Sequence, residues 1–150
     1  MKDGSERSIE VDVVQYCTGY GYNFAFLDPA DNIVSVDYDE GRGKYITPLY
    51  KQIFSARHPE YMIANVQTTN IFTQMHIHKQ AKVMKYYVGG RLKLPSSEDM
   101  LSAVAADEKE WKDKPELIYR RFHFCNEGFD PMSYADELYA LVKAGGVDVP

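Results

Sequence analysis

Apolar positions along the chain gather in short runs, separated by glycine, proline and polar clusters. The first run is Val11-Asp12-Val13-Val14-Gln15-Tyr16-Cys17, closed by Thr18-Gly19-Tyr20. Three β-branched valines and an aromatic residue, ended by a glycine, predict a strand buried on both faces, as in parallel sheets. Parallel neighbours need crossover connections of a dozen residues or more. Only about ten residues precede this run, so the rest of its sheet is expected to lie outside this chain. Gly19 allows close backbone approach to a ligand or to the next element. Open α/β sheets collect ligands at the carboxyl ends of their strands, which is where Thr18, Gly19 and Tyr20 would fall. A core strand followed by an ordinary glycine turn fits the same spacing.

Gly21–Leu27 is aromatic and irregular, is expected to be pinned to the core by Phe24, Phe26 and Leu27, and stops at Asp28-Pro29. Ile33, Val34 and Val36 form a short strand within a polar stretch, and Gly41-Arg42-Gly43 is a turn. Leu49–Phe54 alternates and predicts one strand. His58-Pro59 is a turn, and Tyr61–Val66 is a second buried-type strand. Gln67-Thr68-Thr69-Asn70 then places four polar side chains at a strand-to-helix junction, where either a ligand or a plain helix cap would use them. The helix itself runs from about Ile71 to Val88. Its best apolar stripe is Phe72, Met75, Lys79, Val83 and Tyr86-Tyr87, and Gly89-Gly90 terminates it. His76 and His78 are two apart, on different helix faces, which argues against a shared metal. A second helix follows Leu92–Pro95, opens at a Ser96/Asp99 capping pair and runs to about Lys112 with one charged, solvated face. Residues 113–130 are an aromatic-rich connection containing Tyr119, Phe122, Phe124 and Phe129. A third helix starts at Pro131 and Ser133, carries Tyr134, Leu138 and Leu141-Val142 at helical spacing, and ends at Gly145-Gly146.

Composition narrows the function classes. At 150 residues and 45% hydrophobic content the chain is long enough for a sizeable core. A net charge of -5 with scattered basic residues leaves no nucleic-acid footprint. No run of 18 apolar residues predicts a membrane helix, and the first eight residues have no apolar core of a signal peptide. Asp3-Gly4 is instead a turn dipeptide. Two cysteines, Cys17 and Cys125, make no disulfide framework and fit a reducing compartment. Cys17, in the first strand, is expected to be inert core. His123 reads as a packed or surface histidine. There is no G-x-S-x-G, no P-loop, no G-x-G-x-x-G and no metal-ligand spacing.

Several segments carry a resemblance, in order. Val11-Asp12-Val13-Val14 followed by Cys17-Thr18-Gly19-Tyr20 resembles the late D-V-V-I-F-A-T-G-Y motif of flavin-containing monooxygenases, with Asn23-Phe24 and Phe26-Leu27-Asp28 continuing it. Leu49-Tyr50-Lys51 with Ile53-Phe54 resembles the family's L-Y-K-x-(V/I)-F segment. Gln67, the helix bearing Gln80, and Gly90–Ser96 resemble its G-x-x-x-L-P-S region, with Met100 after it. Tyr134-Ala135-Asp136-Glu137-Leu138 resembles a Y-x-D-E-L near the end of the common core. The resemblance covers residues 9 to 149. Cys17 stands where the family has alanine, and is small enough to fit.

The resemblance implies an α/β fold: a fragment of a two-dinucleotide-binding-domain flavoprotein. Residues 1–28 would end the NADPH-domain sheet with the T-G-Y motif. Residues 29–95 would return to the FAD domain with the long helix, and 96–150 would form the C-terminal helical region. The family uses FAD and NADPH; its reduced flavin captures O₂ as a C4a-hydroperoxide and oxygenates an amine nitrogen or sulfide sulfur. The protein supplies binding, orientation and water exclusion. The expected cofactor-binding residues are Thr18, Gly19, Tyr20, Gln67, Thr68 and Thr69, with the long helix aiming its positive end at the flavin. No catalytic acid, base or nucleophile is implied, because the flavin carries the chemistry. The family's glycine-rich phosphate fingerprints are absent here, so this segment alone is expected to be inactive. The expected partners are a small nucleophilic substrate and O₂, with neither nucleic acid nor metal, and either homo-oligomerisation or pairing with an upstream region. The expected location is the cytoplasm, or the cytoplasmic face of the endoplasmic reticulum. An alternative is a catalytically dead truncated paralogue acting as an interaction protein. A related flavoprotein reductase is disfavoured by the missing redox cysteine pair and by the L-P-S segment.

Overall fold

The computed structural model describes residues 8–17, 21–39, 43–66, 73–113 and 131–147. Among the described residues four short strands precede three α-helices, so the content is α/β. Strands β1 (Ser35–Asp39) and β2 (Gly43–Thr47) pair antiparallel, from Ser35↔Thr47 to Asp39↔Gly43. A cis Thr47-Pro48 bond leads into β3 (Leu49–Tyr50), which pairs with β4 (Phe54–Ser55). The helices are α1 (Thr73–Val88), α2 (Ser97–Asp113) and α3 (Pro131–Ala144).

The first predicted strand does not form. Val11–Cys17 carries no strand pairing among the described residues, and Ile9, Val11, Val13, Val14 and Tyr16 are 58–83% exposed. The reason is that a strand exists only through its neighbours' hydrogen bonds, and no neighbour is present among the described residues. Cys17 is consequently an exposed free thiol rather than core. Phe26 is also exposed, while Phe24 and Leu27 are half-buried. Asp28 caps a short 3₁₀ turn, Pro29–Asp31, by accepting the Ala30 amide at 2.8 Å.

Leu49–Phe54 is not one strand but a tight hairpin. Lys51 (φ 50°) and Gln52 (φ 56°) both occupy the left-handed region, which reverses the chain between β3 and β4. The Ile53 amide bond back to the Tyr50 carbonyl, 3.1 Å, and the two-residue strands hold the turn locally. Tyr61–Val66 is likewise not a full strand: Met62 bridges Phe54, and the Ile63 amide donates to the Ile53 carbonyl at 2.8 Å. The left-handed Asn65 (φ 59°) then breaks the extended path.

The helices follow their sequence signals more closely. At the start of α2 the Ser96 hydroxyl accepts the Asp99 amide at 3.1 Å and donates to the Asp99 carboxylate at 2.6 Å. Gly90 (φ 67°) and Gly146 (φ 84°) take the left-handed conformation after α1 and α3, as helix stops require. The main core joins Ile53 and Phe54 of the hairpin to Val83 of α1 and to Leu92, Tyr134, Leu138, Leu141 and Val142. A second cluster holds Ile46, Leu49 and Val66, with Tyr22, Phe24, Val34 and Ile63 against it. Met100 and Val104 of α2 pack on Ala56. The face of α1 that enters the core carries His76, Gln80 and Val83, with Tyr86 and Tyr87 of the expected stripe packed against it, while Lys79 is half-buried. No helix among the described residues is long and apolar enough to cross a membrane.

Candidate functional site

The six residues expected at the cofactors, Thr18, Gly19, Tyr20, Gln67, Thr68 and Thr69, lie outside the described residues, as do Asn70–Phe72, Arg120-Arg121, His123 and Cys125. Their described neighbours meet. Tyr22, two residues after Tyr20, donates its hydroxyl to the carbonyl of Val66, the residue before Gln67, at 2.8 Å. Val66 is 1% exposed and sits in the core cluster that Tyr22 and Phe24 cover. Tyr22 stacks parallel to Phe24, and Phe26 stands edge-on to Phe24. A buried carbonyl without a partner would cost about 1–3 kcal/mol, so this bond fixes the two chain segments side by side.

Behind Val66 runs a chain of four polar groups, from the backbone of exposed Asn65 through two buried side chains to half-buried Lys51. The Asn65 amide donates to Gln80 Oε1 at 2.9 Å. Gln80 Nε2 donates to the Tyr134 oxygen at 3.0 Å, and that hydroxyl donates to the Lys51 carbonyl at 2.9 Å. The polarity is forced from both ends. A backbone N–H only donates, so the Gln80 atom facing it is the oxygen; a carbonyl only accepts, so the Tyr134 proton points to Lys51. Gln80 and Tyr134 are each 1% exposed. The chain therefore pins two left-handed backbone positions, Lys51 and Asn65, to helices α1 and α3.

His76, one turn before Gln80 on α1, is 3% exposed and stands edge-on to Tyr134, with ring centroids 5.8 Å apart. Burial, and secondly the nearby Lys79 ammonium, hold its pKa below the ordinary value. It is thus a neutral imidazole at physiological pH, with no metal-ligand cluster around it: no group of three His, Cys, Asp or Glu residues suited to a metal occurs among the described residues. Gln52 is also buried, and its Oε1 has no hydrogen-bond partner among the described residues. On the outer side of the hairpin an open groove of about 510 Å³ is lined by Lys51, Lys93, Leu94, Glu137 and Leu141. Lys51 Nζ and Glu137 lie 3.3 Å apart there, each side chain about a third exposed.

The sequence reading weighed His76 only as a metal-ligand candidate beside His78, took Tyr134 as an apolar position, and treated Gln80 only as part of a motif. The signal was present: His76, Gln80 and Val83 recur at i, i+4 and i+7, a core face interrupted by polar side chains. No glycine-rich phosphate fingerprint occurs in the sequence.

Comparison with known proteins bears on the same segments. The chain is 34% identical over 122 residues to a trimethylamine monooxygenase of Methylocella silvestris, covering 81% of this chain and 24% of that protein. It is 32% identical over 98 residues to a flavin-containing monooxygenase, GS-OX-like 4, of Arabidopsis thaliana, covering 65% of this chain and 20% of that one. Among solved structures it is similar to S-allyl-L-cysteine S-oxygenase from Allium sativum, with a TM-score of 0.70 and 29% identity, over 90% of this chain and 29% of that chain. The chain thus spans about a fifth to a quarter of the length of the curated relatives it matches. The family model for flavin-binding monooxygenase-like proteins matches residues 1–146, and the chain belongs to that family.

Proposed function

We propose that this chain is the C-terminal part of an FAD- and NADPH-dependent monooxygenase that oxygenates the nitrogen of small amines or the sulfur of sulfides. The observation that carries the reading is the Tyr22–Val66 hydrogen bond, 2.8 Å, which brings together the residues flanking the two segments expected at the cofactors. The relatives support the substrate class: one acts on trimethylamine and one on S-allyl-L-cysteine by name. The bound flavin supplies the oxygen-transfer chemistry. This chain's own part is to hold Thr18–Tyr20 and Gln67–Thr69 against the cofactors, to aim the N-terminal end of α1 at the flavin, and to exclude water with the aromatic cluster around Phe24. We place residues 1–28 at the end of an NADPH-domain sheet, 29–95 in the return to the FAD domain, and 96–150 in the helical C-terminal region. The protein works in the cytoplasm or on the cytoplasmic face of the endoplasmic reticulum.

The test takes the protein made from its complete coding sequence and supplies NADPH, O₂ and either trimethylamine or S-allyl-L-cysteine. Substrate-dependent NADPH consumption with formation of the N-oxide or S-oxide is expected. A protein that retains flavin but oxygenates neither an amine nor a sulfide refutes the assignment. The 150 residues alone are expected to retain no flavin spectrum and to turn nothing over; a stoichiometric flavin spectrum on them refutes the fragment reading.

The exposed apolar run Ile9–Tyr16 favours a second reading, an interaction protein that pairs through this segment. A well-behaved monomer in analytical ultracentrifugation would argue against it.

A further inference from the structure

Between Tyr61 and Ser97 the sequence has five basic residues and no acidic one, in a chain whose net charge is -5. Four of the five gather on one side of α1. Lys79, Lys82 and Lys85 follow at i, i+3 and i+6 along the helix, and Arg91 lies just past its glycine stop. Lys82 and Lys85 are exposed, on the side opposite the core positions His76, Gln80 and Val83. Lys79 Nζ lies over the Tyr139 ring of α3 and the Arg91 guanidinium over the Tyr86 ring, each 5.2 Å from the centroid. Like charges one turn apart on a helix repel, and none of the four cations has a carboxylate partner among the described residues. On α3 the exposed line through Tyr139 carries Asp136 and Lys143, which offset each other and leave the field to α1.

We propose that this outer face of α1 docks on an anionic lipid bilayer, with Lys79, Lys82, Lys85 and Arg91 in the layer of headgroup phosphates and carboxylates. Helix neighbours one turn apart sit about 5–6 Å from each other, within the Debye length of about 8 Å, so their charges act together. Lysine is a mobile point charge and not a fixed fork, which suits a diffuse anionic layer better than a single carboxylate in set geometry. The crevice between the lysines and Tyr139 holds about 10 Å³, room for one water and not for a partner's side chain. Val88, 72% exposed, and the tyrosines at 86 and 139 border the cations, and such residues suit a headgroup layer. Charge and not insertion holds the face to the surface, because the apolar side of α1 is already packed in the core. The inference goes beyond the oxygenation reading and does not depend on it.

The experiment sediments the protein made from its complete coding sequence with vesicles of phosphatidylcholine alone, or of phosphatidylcholine mixed with an equal amount of phosphatidylserine. Binding to the mixed vesicles alone is expected, and added salt should release it as screening shortens the reach of the charges. Lys82→Gln with Lys85→Gln removes two exposed cations without touching the core. At about fivefold per lysine, the pair should weaken vesicle binding about thirtyfold, with an unchanged melting temperature. Arg57→Gln with Lys109→Gln removes two exposed cations elsewhere and should stay within about twofold of the parent. Equal losses in the two double variants would mean that net charge alone governs binding, and would overturn the proposal. So would no preference for phosphatidylserine, the result expected if another part of the protein or an acidic protein partner covers this face. Binding to duplex DNA as tight as to the mixed vesicles, lost in the same Lys82/Lys85 variant, overturns the bilayer assignment. The salt titration needs no variant, so binding that salt leaves unchanged refutes the electrostatic docking even if a double variant fails to fold.

Discussion

Gly145 is the place where one added methyl group tests the packing of the C-terminal helix against the linker before α2. A Cβ there would collide with Leu92 Cδ1 and would lie 3.1 and 3.2 Å from the Lys93 carbonyl oxygen and amide nitrogen. The Lys93 backbone cannot yield as a flexible side-chain end would. Leu92 is 3% exposed and packed in the same core cluster as Tyr134 and Leu138, so it has no free space to swing into. Two effects compete in Gly145→Ala. Restricting the unfolded chain stabilises by about 0.4–1 kcal/mol where the backbone suits alanine. Overpacking a filled core costs about 1–3 kcal/mol. The collision wins, and a net loss of about 1–2 kcal/mol is expected. Urea unfolding followed by circular dichroism reads this as a lower midpoint at unchanged slope. A double-mutant cycle identifies the cause. Leu92→Ala alone costs about 2–5 kcal/mol, but in its background the added methyl at 145 has room, so its penalty falls to near zero. A midpoint that is unchanged or higher in Gly145→Ala refutes the reasoning, and so does strict additivity in the cycle. The neighbouring Gly146 offers a control of a different kind: nothing lies within 4 Å of its added Cβ, and its φ of 84° alone would penalise alanine.

Other expectations can be checked alongside. Phe54, fully buried and edge-on to Tyr87 at 5.2 Å, is expected to cost about 3–5 kcal/mol as Phe54→Ala in the same unfolding assay. Stability should fall with pH through His76. Its folded-state pKa lies below the ordinary 6.5, so below that pH the unfolded chain takes up a proton that the folded one refuses. The loss should begin near pH 6.5 and level off below the folded pKa, and His76→Gln should flatten that part of a pH series of melting temperatures. Lys51→Ala, which breaks an ion pair about a third exposed on each side, should change stability by no more than about 1 kcal/mol. Val11→Lys with Val13→Lys should reduce self-association in sedimentation without lowering the melting temperature, since both side chains are already exposed.

What the sequence revealed depended on the range of the physics involved. All three helices, the Ser96/Asp99 cap and the glycine stops were legible, because caps and helix periodicity are local. The core positions Tyr134, Leu138 and Leu141-Val142 followed from spacing on one helix. The strand-like runs misled. Val11–Tyr16 has the composition of a buried strand, yet burial depends on neighbours that the pattern cannot supply. Leu49–Phe54 alternates like one strand, yet folds back at Lys51-Gln52, where neither glycine nor asparagine marks the turn. The core positions of His76 and Gln80 were not expected because polar residues on a core face are read as breaks in an apolar stripe, and their shared partner Tyr134 is far away in sequence. The family resemblance survived these errors because it rested on the order of motifs along the chain.

The bond from Tyr134 to the Lys51 carbonyl spans 83 residues, and the one from Gln80 to Tyr134 spans 54. During synthesis the hairpin turn is therefore made long before the helix that carries Tyr134, its distant partner. At the usual 5–20 residues per second, Lys51 waits roughly 4–17 s for Tyr134 to be added. Until then the Lys51 carbonyl lacks this distant restraint, whereas Asn65 gains its Gln80 partner after only 15 residues, and the nascent chain must be kept from settling into some other turn. The C-terminal helix thus acts as a late proofreader of an early bend. A ribosome stalled before Pro131 should hold a chain whose Lys51–Asn65 region is cut readily by protease, while one stalled well beyond the last residue should not.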